Sequence, residues 1–128
     1  MKAWQMKQLG DPWDKLTIAE VDLPPVQGNL CRLQVEATDL SFADILQCQG
    51  VYQVKQEPPF TPGMNAVGTV LEAGPDASCE VGQRIVGFAA SGHGSYAEEC
   101  LVAGDRVTPV PDGVDPIKAA AMHVTYAT

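Results

Sequence analysis

Proline and glycine interrupt this chain from end to end, and their spacing limits it to short secondary-structure elements. The 128 residues include 10 prolines and 12 glycines, and proline lacks the N–H group that a helix interior or a central strand needs. Between these breaks lie short runs in which apolar and polar residues alternate, as in a β-strand. The expected strands cover residues 16–21, 29–37, 66–73, 81–88, 95–102 and 106–110. Many short strands joined by glycine and proline turns indicate a small barrel or sandwich.

Two segments break the alternation and predict short helices, over residues 41–49 and 115–126. In the first segment, three apolar side chains form a narrow stripe at helical spacing. Ser41 and Asp44 match the capping-box pattern S-x-x-[DE] at its start. Pro116 suits the first turn of the second helix, because its missing N–H would have no partner there in any case.

The composition fits one folded domain and excludes several classes of function. The chain is 45% apolar and 19% charged, which is too apolar for a disordered segment. The net charge is −8 and there is no basic cluster, so nucleic acid is not an expected partner. No apolar run reaches the roughly 18 residues of a membrane span, and the start lacks the apolar core of a signal peptide. A cytoplasmic location is therefore the default expectation.

The cysteines and histidines do not form a recognisable metal or redox motif. The cysteines are Cys31, Cys48, Cys79 and Cys100. None of them forms a C-x-x-C pair, and disulfide frameworks belong to secreted proteins, so we expect plain thiols packed as small hydrophobic groups. His93 and His123 lack a third ligand at metal spacing, which predicts no metal site.

The block from Ser41 to Gly68 carries a resemblance to a known family. A capped helix ends at Gln49-Gly50, Tyr52 follows, and a proline-rich loop leads into a glycine-bearing strand. Further motifs follow in order, namely G-M-N-A-V-G-T-V from residue 63, V-G-Q-R-I from 81, G-S-Y-A-E from 94 and V-P-D-G from 110. Together they resemble the N-terminal GroES-like catalytic domain of the medium-chain dehydrogenase/reductase superfamily, closest to its zinc-free quinone oxidoreductases. The resemblance covers residues 1–128 and implies a mainly β fold with short helices, arranged as a partly open β-barrel.

The same resemblance implies a reductase that works without zinc. Zinc-dependent members carry a cysteine where this chain has Ser41 and a histidine where it has Met64, and neither a serine nor a thioether replaces those ligands. The four-cysteine lobe of those members would fall between Phe88 and Ser95, where this chain has no cysteine. The implied activity is NADPH-dependent reduction of a small apolar acceptor, either a quinone or an enone or enoyl substrate.

Three residues become site candidates through this resemblance. Tyr52 matches a tyrosine that donates a proton in related enoyl reductases and lines the nicotinamide site in quinone reductases. Ser41 would face the same cleft and bind substrate or the cofactor carboxamide, although a helix-capping role alone would explain it. Thr128 falls where a threonine of the family approaches the nicotinamide.

The resemblance also implies a partner for this domain. In the family a Rossmann domain follows at the position of Thr128, and its phosphate-binding glycine turn is missing from the sequence. We therefore expect one piece of a reductase, inactive alone and completed by the Rossmann half or within a homo-oligomer. One alternative is a stand-alone GroES-like module for binding or assembly without catalysis. Another is one piece of a larger polypeptide, or a chain that meets its cofactor half on another chain. The apolar face of the last helix, which includes Ile117 and Ala120, favours the first interpretation because it needs a partner surface.

Overall fold

The computed structural model describes residues 1–122, which form seven strands and three short helices. The elements are β1 (Lys2–Met6), α1 (Pro12–Lys15), β2 (Leu16–Glu20), β3 (Leu30–Ala37), α2 (Phe42–Gln49), β4 (Asn65–Ala73), β5 (Arg84–Phe88), β6 (Glu99–Ala103), β7 (Thr108–Pro109) and α3 (Pro116–Ala121). The predicted mainly β fold with short helices is therefore confirmed. Within the described residues, none of the helices has the length and apolar character that a membrane crossing requires.

The strands form two antiparallel sheets that do not close on each other. Strands β1 and β2 make one sheet, and the other has the order β6-β3-β4-β5-β7. A single bridge between Ala3 and Ala97 links the small sheet to the segment before β6. This arrangement agrees with the partly open barrel that the sequence predicts.

The main core lies on one face of the larger sheet, where strand alternation is as predicted. Leu33 of β3 packs with Val70 of β4 and Ile85 of β5, all of them buried. Each such side chain stabilises the fold by roughly 1.5–3 kcal/mol on burial. Gly68 of β4 pairs with Val35 of β3 beside a register shift, and a Cβ atom there would collide with the backbone carbonyl of Gln34. Close approach of two strands therefore explains the glycine inside β4.

Several predicted boundaries differ from the structure. Strand β5 begins at Arg84 rather than at residue 81, because Gly82 adopts a φ of +90° and turns the chain before it pairs. Strand β6 begins at Glu99 rather than at residue 95, because the N–H groups of Ser95 and Tyr96 donate to the loop before β4. Helix α1 was not predicted, although Pro12 at its start suits a first helical turn.

The last predicted helix is confirmed over the part that the structure describes. The Asp115 side chain caps α3 by accepting a hydrogen bond of 2.8 Å from the Ile117 N–H group. Ala120 packs against the sheet, whereas Ile117 is exposed. Residues 123–128, including the site candidate Thr128 and also His123, lie outside the described residues.

The expectation of four plain thiols is wrong for two of the cysteines. Cys31 and Cys79 form a disulfide, whereas Cys48 and Cys100 are buried free thiols. Cys31 lies in β3 and Cys79 in the turn after β4, and both belong to the same core cluster. The pairing joins positions 48 residues apart, so only the packing of the turn onto the sheet brings the two sulfur atoms together.

Candidate active site

Helix α2 organises the candidate site, and its ends form as the sequence predicts. The Ser41 N–H group donates to Asp44 Oδ2 at 3.1 Å, and the Asp44 N–H group donates to Ser41 Oγ at 3.4 Å. This capping box satisfies donors that a helix start otherwise leaves without partners. Gly50 ends the helix in the left-handed conformation, with a φ of +78°.

The face that α2 buries is polar rather than apolar. Asp44 and Gln47 are only 3% and 4% exposed, and Cys48 is buried beside them, whereas Phe42 of the apolar stripe is 73% exposed. Residues three and four apart share one helix face, so these three side chains point into the protein together. Burying polar groups is costly unless they are hydrogen-bonded, so the hydrogen-bond partners of Asp44 and Gln47 determine how much this burial costs.

Four hydrogen bonds converge on the Asp44 carboxylate. Two come from Ser41, whose N–H group and hydroxyl donate at 3.1 and 2.9 Å. The Met64 N–H group donates to Oδ1 at 3.1 Å, and the Tyr96 hydroxyl donates to Oδ2 at 2.9 Å. Hydrogen bonds to a charged group are each worth about 1.5–3 kcal/mol. Asp44 therefore ties the start of α2 to the residue before β4 and to the segment before β6.

Burial and, to a smaller extent, the negative charge of Asp44 favour the protonated forms of Tyr96 and Cys48. Burial raises the pKa of Tyr96, and the charge and hydrogen bond of Asp44 raise it further. Burial also raises the pKa of the Cys48 thiol to about 11, with a further contribution from Asp44. At neutral pH, Tyr96 is thus a stable hydrogen-bond donor, and Cys48 lacks the thiolate that a nucleophile needs.

A small cleft of about 170 Å³ opens beside α2. Its lining residues are Gln47, Val54, Gln56, Gly63, Met64, Phe88, Ala89, Ala90, Ser91 and Gly94. None of these side chains is charged, so the cleft suits a neutral and mostly apolar group. Its volume is below the roughly 300–1,000 Å³ of whole ligand pockets, which indicates that it holds only the head group of a ligand.

Two larger grooves lie elsewhere on the surface. One, of about 570 Å³, is lined by residues of β1, β2 and β3 and of the segments after β3 and before β6. The other, of about 530 Å³, follows β7 and α3. The smaller cleft differs from both because its lining includes Gln47, whose buried Oε1 atom has no partner within residues 1–122. We therefore place the candidate site at the smaller cleft.

Ser41 and Tyr52, the two predicted site residues that the structure describes, flank α2 without lining the cleft. The Ser41 hydroxyl is bonded to Asp44, whose other oxygen reaches the cleft residue Met64. Tyr52 is half-buried two residues after the helix cap, and no residue in the range 1–122 hydrogen-bonds its hydroxyl. The eight-residue helix rises about 12 Å, so it keeps the backbones of Ser41 and Tyr52 well apart.

Sequence reasoning missed the roles of Asp44 and Gln47. The capping-box pattern indicated Asp44, but it gave no sign that Met64 and Tyr96, 20 and 52 residues away, would also donate to it. For Gln47, the available signal was its position three residues after Asp44, on the same helix face.

The side chains that commonly bind metal ions do not form a cluster in the described part of the chain. Among residues 1–122, no group of three or more His, Cys, Asp or Glu side chains could hold a metal ion. The Ser41 hydroxyl is engaged with Asp44, and Met64 lines the cleft. At these two positions, zinc-dependent members of the superfamily that the sequence resembles carry zinc ligands.

The fold and the cleft define a GroES-like domain of the alcohol dehydrogenase type. The family model described as the alcohol dehydrogenase GroES-like domain matches residues 27–112, which is more than half of the chain. This chain therefore belongs to the alcohol dehydrogenase GroES-like domain family, as the motifs predicted.

Within that family, the relatives include quinone oxidoreductase-like proteins of the medium-chain dehydrogenase/reductase superfamily. The chain is 42% identical over 114 residues to quinone oxidoreductase-like protein 2 of Bos taurus, covering 88% of this chain and 32% of that protein. The Mus musculus protein of the same name is 40% identical over 114 residues, with the same coverage. The chain thus spans about a third of the length of these curated relatives.

Solved structures agree with this placement. The quinone oxidoreductase from Thermus thermophilus, solved alone and with NADPH, superposes with a TM-score of 0.80 at 35% identity, covering 100% of this chain and 38% of that one. A probable oxidoreductase from Mycobacterium abscessus gives a TM-score of 0.87 at 34% identity, covering 98% and 39%. The predicted fold family is therefore confirmed at the level of the structure as well.

Proposed function

We propose that this chain is the substrate-side domain of an NADPH-dependent, zinc-independent reductase whose acceptor is a quinone, or an enone or enoyl compound. The observation that carries the proposal is the uncharged cleft beside Met64 and Gln47, because flat, neutral acceptors need apolar walls with few polar groups. The relatives named quinone oxidoreductase, one of which forms a complex with NADPH, support the choice of acceptor and cofactor.

The residues present fit only the nicotinamide end of the cofactor. Within residues 1–122, no strand leads through a G-x-G-x-x-G turn into a helix, the arrangement that binds a pyrophosphate. The Tyr52 hydroxyl has no hydrogen-bond partner among the described residues, and we assign it the role of bonding a nicotinamide or a substrate oxygen. Ser41 and, outside the described residues, Thr128 are assigned as further contacts. NADPH would supply the hydride, and this domain would supply the walls of the substrate pocket and a proton donor.

The isolated chain is proposed to be inactive, because most contacts to a dinucleotide come from the Rossmann domain. Calorimetry with NADPH at sub-millimolar concentration should give no saturable binding. A clear isotherm, or steady NADPH oxidation in the presence of a quinone, would contradict this proposal.

Independence of zinc is a separate proposal with its own measurement. Ser41 and Met64 stand at the positions of zinc ligands in zinc-dependent members, and their side chains are poor ligands for that ion. Elemental analysis of protein purified without added metal should find no stoichiometric zinc. One zinc ion per chain would overturn the proposal.

We further propose that the 570 Å³ groove packs against the remainder of a longer reductase or against a second copy of the chain. Trp4, Ile18 and Leu40 are exposed apolar side chains among its lining residues, and such a contiguous patch usually marks an interface. The curated relatives are about three times as long as this chain, which supports the first occupant. A cytoplasmic location and the absence of a nucleic-acid partner remain predictions.

The test of the proposed function is Tyr52→Phe in the full-length reductase. The variant keeps the ring and removes the donor, so kcat/KM should fall about 100- to 10,000-fold, the usual range for a general acid. The loss should be larger for an enoyl substrate, whose carbon must be protonated with defined geometry. Ser41→Ala should lower kcat/KM less. Thermal unfolding of both variants separates chemistry from stability, and wild-type turnover by Tyr52→Phe on quinone and enoyl substrates alike would make Tyr52 a packing residue.

A further inference from the structure

We infer that Gln47 forms a hydrogen bond with an oxygen atom of the substrate that is reduced. We also infer that the cleft is selective for a neutral ring bearing a carbonyl group. The inference rests on the proposed reductase function and adds to it the residue that recognises the substrate. Gln47 would touch the substrate without taking part in hydride transfer.

The first observation is a buried carboxamide that the protein leaves unpaired. Gln47 is 4% exposed, and its Oε1 atom has no hydrogen-bond partner among the described residues. Such a group costs about 1–3 kcal/mol while it lacks a partner. The neighbouring polar side chains of α2 are paired, since Asp44 accepts four hydrogen bonds and Gln49 Nε2 donates to Asp11 Oδ1 at 2.9 Å. Two buried side-chain atoms lack a partner among the described residues, Gln47 Oε1 and Asn65 Oδ1, and of these two residues only Gln47 lines the cleft.

The second observation is the chemistry of the cleft around Gln47. A second carboxamide, Gln56, and the hydroxyl-bearing Ser91 also line it, and its remaining walls include Val54 and Phe88. With no charged side chain in the lining, a phosphate or carboxylate head group would find no counter-ion there. A neutral ring with one or two oxygen atoms would find apolar walls and uncharged hydrogen-bonding groups.

A carboxamide suits both forms of such an acceptor. A quinone carbonyl only accepts hydrogen bonds, whereas the hydroxyl of the reduced product also donates them. Rotation of the carboxamide by 180° exchanges the positions of Oε1 and Nε2, so Gln47 can donate from Nε2 to the carbonyl and accept at Oε1 from the hydroxyl. In the proposed reaction NADPH gives a hydride and solvent or Tyr52 gives a proton, so that the quinone becomes the hydroquinone and NADPH becomes NADP⁺. Gln47 would remain unchanged throughout.

The test compares two probes that share a carbon skeleton. Tetramethyl-1,4-benzoquinone carries two carbonyl oxygens, and 1,2,4,5-tetramethylbenzene carries none. Their dissociation constants are measured by equilibrium dialysis on the full reductase without reduced nicotinamide, so that no turnover occurs. Gln47→Met keeps the length of the side chain and removes its hydrogen-bonding groups. It should weaken binding of the quinone about three- to tenfold, the worth of one neutral hydrogen bond, and leave the hydrocarbon unchanged.

Gln49→Met is the matched control, because it makes the same substitution on the same helix outside the cleft. It should leave the binding of both probes unchanged. Gln47→Leu gives a second apolar replacement with the same expectation if the methionine variant does not fold. Unchanged quinone binding in the Gln47 variants, or an equal loss for both probes, would overturn the inference, since the second result means that Gln47 only shapes the cleft.

NADPH-dependent reduction of the same quinone by the wild-type protein is measured separately. If turnover is absent but quinone binding depends on Gln47, the proposed function fails and the binding role stands. If turnover is present but Gln47→Met binds the quinone normally, the binding role fails and the proposed function stands.

Discussion

Two polar side chains one turn apart on α2 are buried to the same degree, yet they have opposite surroundings. Asp44 accepts four hydrogen bonds from three residues, whereas the carboxamide oxygen of Gln47 has no partner among residues 1–122. The magnitudes explain which of the two can remain unpaired. A buried carboxylate without partners would be far too costly to keep its charge, but a neutral carboxamide costs only about 1–3 kcal/mol.

The contrast separates the scaffold of the site from its recognition surface. A side chain whose hydrogen bonds are all made within the protein has little left to offer a ligand. A buried group with an unused acceptor, lining a cleft, retains that capacity until a ligand or an ordered water molecule occupies it. On this reasoning, Asp44 stabilises the structure of the site, and Gln47 recognises the ligand that binds there.

The largest effect should come from Asp44→Ala. The substitution removes the acceptor for Ser41, Met64 and Tyr96 together, so we expect a loss of about 3–5 kcal/mol in the free energy of unfolding. Urea unfolding at pH 7 measures it. Asp112→Ala serves as the control, because Asp112 is exposed in a turn and such changes usually stay within about 0.5 kcal/mol. Equal stabilities of the two variants would contradict the proposal that Asp44 stabilises the structure of the site.

Tyr96→Phe should have the next largest effect. It deletes one donor to a buried charge, which predicts a loss of about 1–3 kcal/mol. Tyr52→Phe is the matched control and should leave stability nearly unchanged, since its hydroxyl is unpaired among the described residues. A larger loss of stability in Tyr52→Phe than in Tyr96→Phe would reverse the roles that we assign to these two tyrosines.

Alkaline pH offers an independent check of the Tyr96 environment. Because the pKa of Tyr96 is raised in the folded protein, the folded state holds its proton above about pH 10, where the unfolded chain releases it. The corresponding stability is fully present below about pH 10 and falls as the pH rises further. Tyr96→Phe should show a shallower decline between about pH 9 and 11, and identical slopes would contradict this environment.

Several elements whose deciding contacts are local were predictable, although the short helix α1 and the turn at Gly82 were missed. The alternation over residues 29–37 corresponds to β3, and the capping pattern marks the start of α2, because each signal operates within one strand face or one helical turn. The start of β6 and the disulfide between Cys31 and Cys79 were not predictable. Both depend on loops that pack across the sheet, and the sequence pattern contains no trace of that packing.

The candidate site likewise has features that are determined locally and features that depend on the tertiary structure. The pair Ser41–Asp44 was predictable because three residues separate its members, but the bonds from Met64 and Tyr96 arise only in the tertiary structure. The unpaired state of Gln47 could not be predicted from the sequence, because it depends on which hydrogen-bonding groups the tertiary structure places near its side chain. The role of Tyr52 rests on the family resemblance and stays a prediction.

Gln47→Met should shift stability in the opposite direction to the Asp44 and Tyr96 variants. Replacing an unpaired buried carboxamide by an apolar side chain of similar length removes a desolvation penalty, so we expect a gain of about 1 kcal/mol in urea unfolding without ligand. Gln49→Met breaks the bond to Asp11 and should instead lose about 0.5–1.5 kcal/mol. Destabilisation of both variants would mean that Gln47 is an ordinary structural residue and would remove the contrast with Asp44.

The smallest effect concerns His93, which belongs to the segment that forms one wall of the cleft. His93 is half-buried, and burial lowers its pKa below the usual value of 6.5. The unfolded chain therefore takes up the proton first as the pH falls, so the stability linked to His93 is complete above about pH 6.5 and declines below it. His93→Gln should flatten the stability profile between about pH 7 and 5, before most carboxylates titrate. The same decline in wild type and variant would contradict a neutral His93. A flatter profile would support a cleft wall that stays uncharged at neutral pH, as recognition of a neutral acceptor by Gln47 requires.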